Sequence, residues 1–291
     1  MNPAPTAKSL SPKAAGQGAG QGAQSVQLAV TGANFATGIT AMFAPSSGIT
    51  VLNAAPSPSD PSQLLVDIPV ANDATAGPRT LILENPDGGN STLANALTIN
   101  AAPKLTSVAP ASRGQGATKQ AIAITGANFV KGATVSFRLP AGATDDQQIT
   151  VTTKFVSATQ LVATIAISAS AEAGPRDVAV SNNDGGPPVI SASTFKVNAA
   201  PVVTGQASAR RGFSGTVTLT GTGFQPGATV KISGTGVTMG GAPVVSADGT
   251  TITLRVTIAS SATPGSRSVT ITNNDGGPPA TFQDAFSVTA T

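Results

Sequence analysis

Short stretches in which apolar and polar residues alternate recur along the chain, and they stand out most between residues 104 and 197. Such alternation places every second side chain on one face of a β-strand. It predicts strands at residues 104–108, 121–125, 134–138, 151–155, 160–167, 177–181 and 194–197. Their inward positions, together with the phenylalanine in the loop between the second and third strands, predict a core of Ile124, Phe129, Val135, Phe137, Leu161, Ile165, Val178 and Phe195. About seven short strands separated by turns are typical of a two-sheet β-sandwich.

Three short phrases recur in the same order and at nearly constant spacing. T-G-A-N-F occupies residues 31–35 and 125–129, with T-G-T-G-F at 220–224. The second phrase is A-G-P-R at 76–79 and 173–176, with P-G-S-R at 264–267, and the third is N-P-D-G-G at 85–89, with N-N-D-G-G at 182–186 and 273–277. The period is that of a whole sandwich, so we predict three tandem all-β domains at residues 1–101, 102–199 and 200–291.

The predicted linkers repeat as well. N-A-A-P stands at residues 100–103 and again at 198–201. Because the linker is short and proline fixes its own φ angle, we expect the three sandwiches to form an elongated, semi-rigid rod.

Composition narrows the range of functions. The 291 residues include 32 Gly and 22 Pro, but no Cys, His, Trp or Tyr, and only 10% are charged. The missing residue types exclude disulfides, thiolate sites and histidine catalysis. The net charge is +3 and the longest basic run is Arg210-Arg211, so we expect no nucleic-acid partner. No apolar run reaches the length of a membrane span, so we also expect no membrane insertion.

The remaining candidate chemistry consists of carboxylates. Asp145 and Asp146 are adjacent, and their polar surroundings predict solvated loop charges. Asp87, Asp184 and Asp275 belong to the N-x-D-G-G phrases, for which calcium binding and turn formation are the alternatives. A calcium site needs about six to eight oxygens, with several carboxylates converging. Each phrase supplies one carboxylate, which favours the turn.

An arginine also recurs, as Arg79, Arg176 and Arg267. The three side chains could line a binding stripe, but the favoured interpretation is that each lies over its own sheet or pairs locally. We therefore predict no catalytic, cofactor-binding or metal-binding residues and no cofactor.

The recurring phrases resemble the IPT/TIG family of immunoglobulin-like domains. In the second unit the resemblance rests on G-x-x-F-x-x-G-A and on V-x-N-x-D-G-G followed by F-x-V, which are Gly126, Phe129, Gly132, Ala133, Val180, Asn182, Asp184, Gly185, Gly186, Phe195 and Val197. It covers nearly the whole chain and implies an immunoglobulin-like sandwich. The third unit departs from it by carrying Gly223 in place of Asn34 and Asn128. The family serves many roles, so the resemblance implies a fold more than a function.

These observations together predict a non-enzymatic structural or display protein in an extracellular assembly, with other protein subunits or further copies as partners. The chain opens at Met1 without a secretory signal, which favours a phage virion surface, where lysis releases the protein. One alternative is a tandem segment of a bacterial cell-surface adhesin or stalk. Another is a protein- or glycan-recognition module, although glycan platforms normally use exposed Trp or Tyr.

Overall fold

The computed structural model describes residues 3–21, 25–140 and 144–290, and the regular elements within them are all β-strands. The strands form six sheets, paired into three consecutive sandwiches. Met1 and Thr291, which begin and end the predicted domains, lie outside the described residues. The domain limits themselves remain a prediction. No helix in the described part of the chain has the length and apolar character needed to cross a membrane.

The first sandwich has two four-stranded sheets. Its described strands are β1 (Thr6–Ser11), β2 (Ala14–Gly16), β3 (Val26–Ala33), β4 (Thr40–Ala44), β5 (Asn53–Pro56), β6 (Gln63–Ile68), β7 (Gly77–Glu84) and β8 (Asn90–Asn100). The sheet orders are β1-β3-β6-β5 and β2-β8-β7-β4.

The second sandwich repeats this arrangement. Its described strands are β9 (Lys104–Ala109), β10 (Ser112–Gly114), β11 (Gln120–Ala127), β12 (Thr134–Arg138), β13 (Ile149–Ser157), β14 (Gln160–Ile167), β15 (Gly174–Ser181) and β16 (Val189–Asn198). The sheet orders are β13-β14-β11-β9 and β10-β16-β15-β12.

The third sandwich adds one short strand to the same plan. Its described strands are β17 (Val202–Gly205), β18 (Ala207–Arg210), β19 (Ser214–Thr222), β20 (Thr229–Ile232), β21 (Val237–Met239), β22 (Val244–Val245), β23 (Thr251–Ile258), β24 (Gly265–Thr272) and β25 (Ala280–Thr289). The sheet orders are β17-β19-β23-β21, with β22 also paired to β23, and β18-β25-β24-β20. The chain is therefore an all-β protein of tandem immunoglobulin-like sandwiches.

Each sandwich has one strand more than the seven predicted, because its first strand is divided between the two sheets, and the third sandwich has the further short strand β22. In the second sandwich, β9 pairs antiparallel with β11, and β10 then pairs parallel with β16 in the opposite sheet. Pro110 lies at this crossover, where its missing N–H leaves no gap in either ladder. A three-residue strand is too short to show alternation, which is why the pattern does not predict β10.

The three cores are separate clusters of aliphatic and phenylalanine side chains. In the second core, the rings of Phe137 and Phe195 meet edge to face with their centroids 4.7 Å apart. The burial of all eight predicted core residues is confirmed: Ile124, Phe129, Val135, Phe137, Leu161, Ile165, Val178 and Phe195.

Candidate functional site

The first and third recurring phrases of each unit, T-G-x-x-F and N-x-D-G-G, meet at the end where the chain enters the sandwich. The first Asn of each N-x-D-G-G phrase is buried, at Asn85, Asn182 and Asn273. In the second sandwich, Asn182 Oδ1 accepts from Val130 N at 3.1 Å, and Asn182 Nδ2 donates to Asn128 O at 2.8 Å. Equivalent bonds hold the other two asparagines. Both phrases recur, therefore, because they form the two sides of one contact between loops.

The other asparagine of this contact also holds the incoming chain. Asn34 and Asn128 adopt left-handed backbone conformations, with φ of 61° and 62°. Asn34 Nδ2 donates to Ala4 O at 3.0 Å, and Asn128 Nδ2 donates to Ala102 O at 2.9 Å. Gly223 takes the same left-handed position in the third sandwich, where a Cβ would lie 2.4 Å from a linker carbonyl oxygen. That close approach explains the departure of the third unit from the T-G-A-N-F phrase.

Asp184 joins the first sandwich to the second. Its Oδ1 accepts from Gly186 N at 3.2 Å, which is the turn contact predicted from the sequence. Its Oδ2 accepts from Asn100 Nδ2 at 2.9 Å, and its backbone oxygen accepts from Gly16 N at 2.8 Å. Asn100 and Gly16 belong to the first sandwich. One residue of the hairpin thus both closes its own turn and bonds to the neighbouring sandwich.

Asp275 makes the same contacts between the second and third sandwiches. Its Oδ1 accepts from Gly277 N at 3.1 Å, its Oδ2 from Asn198 Nδ2 at 3.2 Å, and its backbone oxygen from Gly114 N at 3.0 Å. We call the contact between two successive sandwiches, formed by the D-G-G hairpin of one and by the last-strand Asn and the Gly-Gln turn of the other, a joint. Only 5% of the Asp275 surface is exposed, so its carboxylate is enclosed within the second joint. The turn role predicted for these aspartates is confirmed, and their role between domains was missed.

A glutamine completes each joint. Gln17 Oε1 accepts from Ala102 N in the linker at 2.8 Å, and Gln17 Nε2 donates to Ala74 O at 2.7 Å. Gln115 makes the equivalent two bonds in the second joint. In both joints the linker N–H is thus bonded back to the sandwich that the linker has just left. In the first joint Asn128 holds Ala102 O as well, so that linker is bonded to both sandwiches.

The glycines beside these glutamines let the neighbouring sandwich approach. A Cβ at Gly16 would lie 2.5 Å from Asp184 Oδ1, and a Cβ at Gly114 would lie 2.5 Å from Asp275 Oδ1. Real side chains do not approach so closely, so any other residue at these positions would displace the carboxylate from its bonds across the joint. The residues G-Q at 16–17 and 114–115 are therefore one half of the joint, and D-G-G is the other half.

The recurring arginines belong to the interior of the sandwiches. Arg79 and Arg176 are each only 2% exposed, so the expectation that they lie over a sheet face is wrong, and neither can line a surface stripe. The alternative of local pairing is confirmed: Arg176 bonds to the backbone oxygens of Glu172, Gly174 and Pro175, and Arg79 bonds to those of the matching residues. Arg267 is less buried and donates to Ser266 O at 3.1 Å. Each arginine thus closes the loop before its strand.

The prediction of solvated loop charges is wrong for Asp146 and is confirmed for Asp145, whose side chain is 52% exposed. Asp146 is 8% exposed, and its Oδ2 accepts from Arg176 Nε at 2.7 Å in a buried ion pair. Asp145 Oδ1 lies 3.0 Å from Arg138 Nε in a pair that is open to solvent. Both carboxylates face arginines on the neighbouring strands β12 and β15. The buried partner of Asp146 lies 30 residues further along the chain, so a local pattern does not reveal it.

Two exposed aspartates have lowered pKa values, and both cap turns away from the joints. The Ser62 hydroxyl donates to Asp60 Oδ1 at 2.6 Å and lowers the pKa of that carboxyl. The Ser246 hydroxyl does the same for the pKa of Asp248, with a smaller effect from Thr250. In the described part of the chain, no three acidic side chains converge as a metal site would require. The joints are accordingly the candidate functional site.

No family model matches the chain, and no curated protein matches it. Among solved structures, an E-to-A mutated three-domain titin fragment is 14% identical over 100% of this chain and 99% of its own, with a TM-score of 0.32. The plexin A4 extracellular region is 11% identical over 95% of this chain and 22% of its own, with a TM-score of 0.40. Extracellular domains 3-5 of Drosophila OTK are 10% identical over 100% of both chains, with a TM-score of 0.25. Similarity this low transfers no role from these proteins to this chain.

Proposed function

We propose that the chain is a non-enzymatic structural protein of the IPT/TIG type that spaces and displays surfaces within a larger extracellular assembly. The observation that carries this proposal is the repeated joint. Asp184 and Asp275 bridge successive sandwiches through the same backbone and side-chain bonds. A joint that repeats its geometry passes position and orientation from one domain to the next, and a spacer requires this.

The edges of the sheets offer the contacts for such an assembly. Four exposed large apolar side chains lie on edge strands: Met42 on β4, Val156 on β13, Val202 on β17 and Val244 on β22. An edge strand presents unpaired N–H and C=O groups to which a partner strand can add. With only 10% charged residues in the chain, repulsion between neighbouring subunits is weak. These features favour main-chain and apolar contacts to other subunits or copies.

We place the assembly on the surface of a virus particle, with a bacterial cell surface as the alternative. Immunogold electron microscopy on purified particles and on intact cells of one culture separates the two. Label on the particles is the expected result. Label confined to the cell surface would replace the virion by the adhesin or stalk, and label found only inside cells would overturn the extracellular role.

A salt wash tests the kind of contact. Screening acts on exposed charges and barely on apolar burial, so the protein should remain attached in about 1 M salt. Release at that step would show that ion pairs hold it and would contradict contacts through sheet edges. Turnover of any substrate by the isolated chain would overturn the structural role.

A further inference from the structure

The two ends of the three-sandwich array differ in their capacity to form another joint. We call the end of a sandwich that carries its D-G-G hairpin the entry face, and the end that carries its last-strand residue and the Gly-Gln position the exit face. The entry face of the first sandwich has the same contact between loops as the entry faces of the second and third sandwiches. Asn85 Nδ2 donates to Asn34 O at 2.9 Å, and Asn34 Nδ2 holds Ala4 O at 3.0 Å. The hairpin that follows Asn85 again contains D-G-G, and Gly89 N donates to Asp87 Oδ1 at 3.2 Å. The D-G-G half of a joint is therefore built here in the form it has at the other two.

This face is more open than its two counterparts. Asp87 is exposed, Asp184 is half-buried and Asp275 is buried. Phe35 in the first sandwich is also more exposed than its counterpart in the second: Phe35 is half-buried, whereas Phe129 is 2% exposed. A cleft of about 210 Å³ lies over the first-sandwich face, lined by Pro3, Asn34, Phe35 and Ala36. The matching cleft at the first joint is lined by residues of both sandwiches, namely Ile99, Asn100, Ala101, Asn128, Phe129, Val130 and Ala158.

The exit face of the third sandwich lacks the Gly, Gln and Asn residues that form the other half of a joint. Strand pairing aligns Arg210 and Thr289 with the pairs Gly16 and Asn100, and Gly114 and Asn198. Arg211 follows in the position of the glutamine. In the formed joints a Cβ at the glycine position would lie 2.5 Å from the docking carboxylate, so the Arg210 side chain would displace that carboxylate from its bonds, and neither Arg211 nor Thr289 supplies the missing amide.

We propose that the entry face of the first sandwich docks a further β-sandwich that ends in a last-strand Asn and a Gly-Gln-Gly turn, as the first two sandwiches do. The proposal also holds that the exit face of the third sandwich does not accept such a domain. A second copy of this chain is not the occupant, because its two Gly-Gln turns are already engaged and its third is replaced by Arg210-Arg211. This inference rests on the joints alone and does not depend on where the protein is located.

One position of the entry face differs from the formed joints. Asn90 follows the D-G-G turn where Pro187 and Pro278 follow it in the other sandwiches. Those prolines lie against the second glycine of the docking turn, where a Cβ at Gly18 would come within 2.9 Å of Pro187 Cδ. The additional joint thus has the hydrogen bonds of the others without the proline contact.

Two extended chains with equal numbers of domains test both halves of the proposal. In the first, a copy of residues 102–198 is joined directly to Pro3, so that its last Asn stands before P-A-P. In the second, a copy of residues 101–198 follows Thr289. Amide hydrogen exchange at the two turns and small-angle scattering then report whether the added sandwich docks.

In the first chain, we expect the Gly114 amide of the added copy, which is the amide that donates across a joint, to exchange at least about tenfold more slowly than the Arg210 amide in the second chain. Asp87→Ala should remove that protection while leaving the cores intact. In the second chain, the triple substitution R210G, R211Q and T289N should create the protection. An added sandwich equally loose in both chains would overturn docking at the entry face, and protection in the unsubstituted second chain would overturn exclusion at the exit face.

Discussion

The recurring buried arginine meets a different environment in each sandwich. Arg176 Nε donates to Asp146 at 2.7 Å, whereas the Nε atoms of Arg79 and Arg267 are buried without a hydrogen-bond partner among the described residues. Leaving a buried donor unpaired costs about 1–3 kcal/mol. Asp146 removes that cost for Arg176. We therefore expect the ion pair between Asp146 and Arg176 to stabilise the second sandwich, and the first and third sandwiches lack its equivalent among the described residues.

Replacing Asp146 with Ala should lower the free energy of unfolding of the second sandwich by about 3 kcal/mol, the lower end of the cost of breaking a buried ion pair. The lower end applies because Arg176 keeps its bonds to three backbone oxygens. Hydrogen exchange of the amides in β15 measures the loss within the intact chain.

Asp145 provides the matched control for this substitution. Its side chain is 52% exposed in its pair with Arg138, and exposed pairs contribute about 0–1 kcal/mol. Asp145→Ala should therefore leave the exchange of β15 nearly unchanged. Equal losses for the two variants would show that the loop as a whole, and not the buried ion pair, stabilises the sandwich.

At the scale of elements, the linker is held by the turn of the sandwich that it leaves. Gln17→Ala removes the acceptor of Ala102 N, which should weaken the first joint by about 1–3 kcal/mol. Because the chain has no native cysteine, spin labels can be attached at introduced cysteines, at the exposed positions Ser59 and Lys154. Electron paramagnetic resonance should then show a broader distance distribution between the first two sandwiches.

Gln27→Ala serves as the control for the joint. Its side chain is exposed and donates to Asp67 Oδ1 at 3.3 Å within one sandwich. We expect an unchanged distance distribution for this variant. A distribution as narrow in Gln17→Ala as in the parent chain would mean that the glutamine does not fix the linker.

Local pattern was sufficient to predict most elements of the second sandwich. The bounds of β12 and β14 agree with the prediction, because alternation continues to the ends of both strands. Strand β10 was missed, because its three residues are too few to show alternation, and it pairs with β16 in the opposite sheet. Alternation of apolar and polar residues indicates which face of a strand is buried, but it does not indicate where the chain passes from one sheet to the other.

The joints were only half predicted, for a similar reason. The turn at Asp184 is encoded by three neighbouring residues, but its bond to Asn100 joins positions 84 residues apart. A signal was nevertheless present in the repeats. At the position aligned by strand pairing, Gly16-Gln17 and Gly114-Gln115 stand in the two units that precede another unit, and Arg210-Arg211 stands there in the third. Comparing the repeats with one another, position by position, reveals such a contact where a single repeat cannot.

At the scale of the whole molecule, fixed linkers predict an extended particle. A compact single domain of 291 residues would have a radius of gyration of about 19 Å, and the unfolded chain about 60 Å. Three sandwiches arranged end to end should give about 30 Å or more. Small-angle X-ray scattering measures this value directly. A radius near that of the compact domain would show that the sandwiches fold back on one another and would contradict the rod.

The bond between Gln17 and Ala102 also affects how proteases meet the chain. A protease cleaves most readily where an exposed segment can unfold locally into its active-site cleft. Here the linker residues Ala101 and Ala102 are half-buried, Pro103 is buried, and the Ala102 N–H is already bonded. The segments between the sandwiches, usually the first to be cut in multidomain chains, are therefore shielded, and digestion should begin within exposed loops and leave the joints uncut.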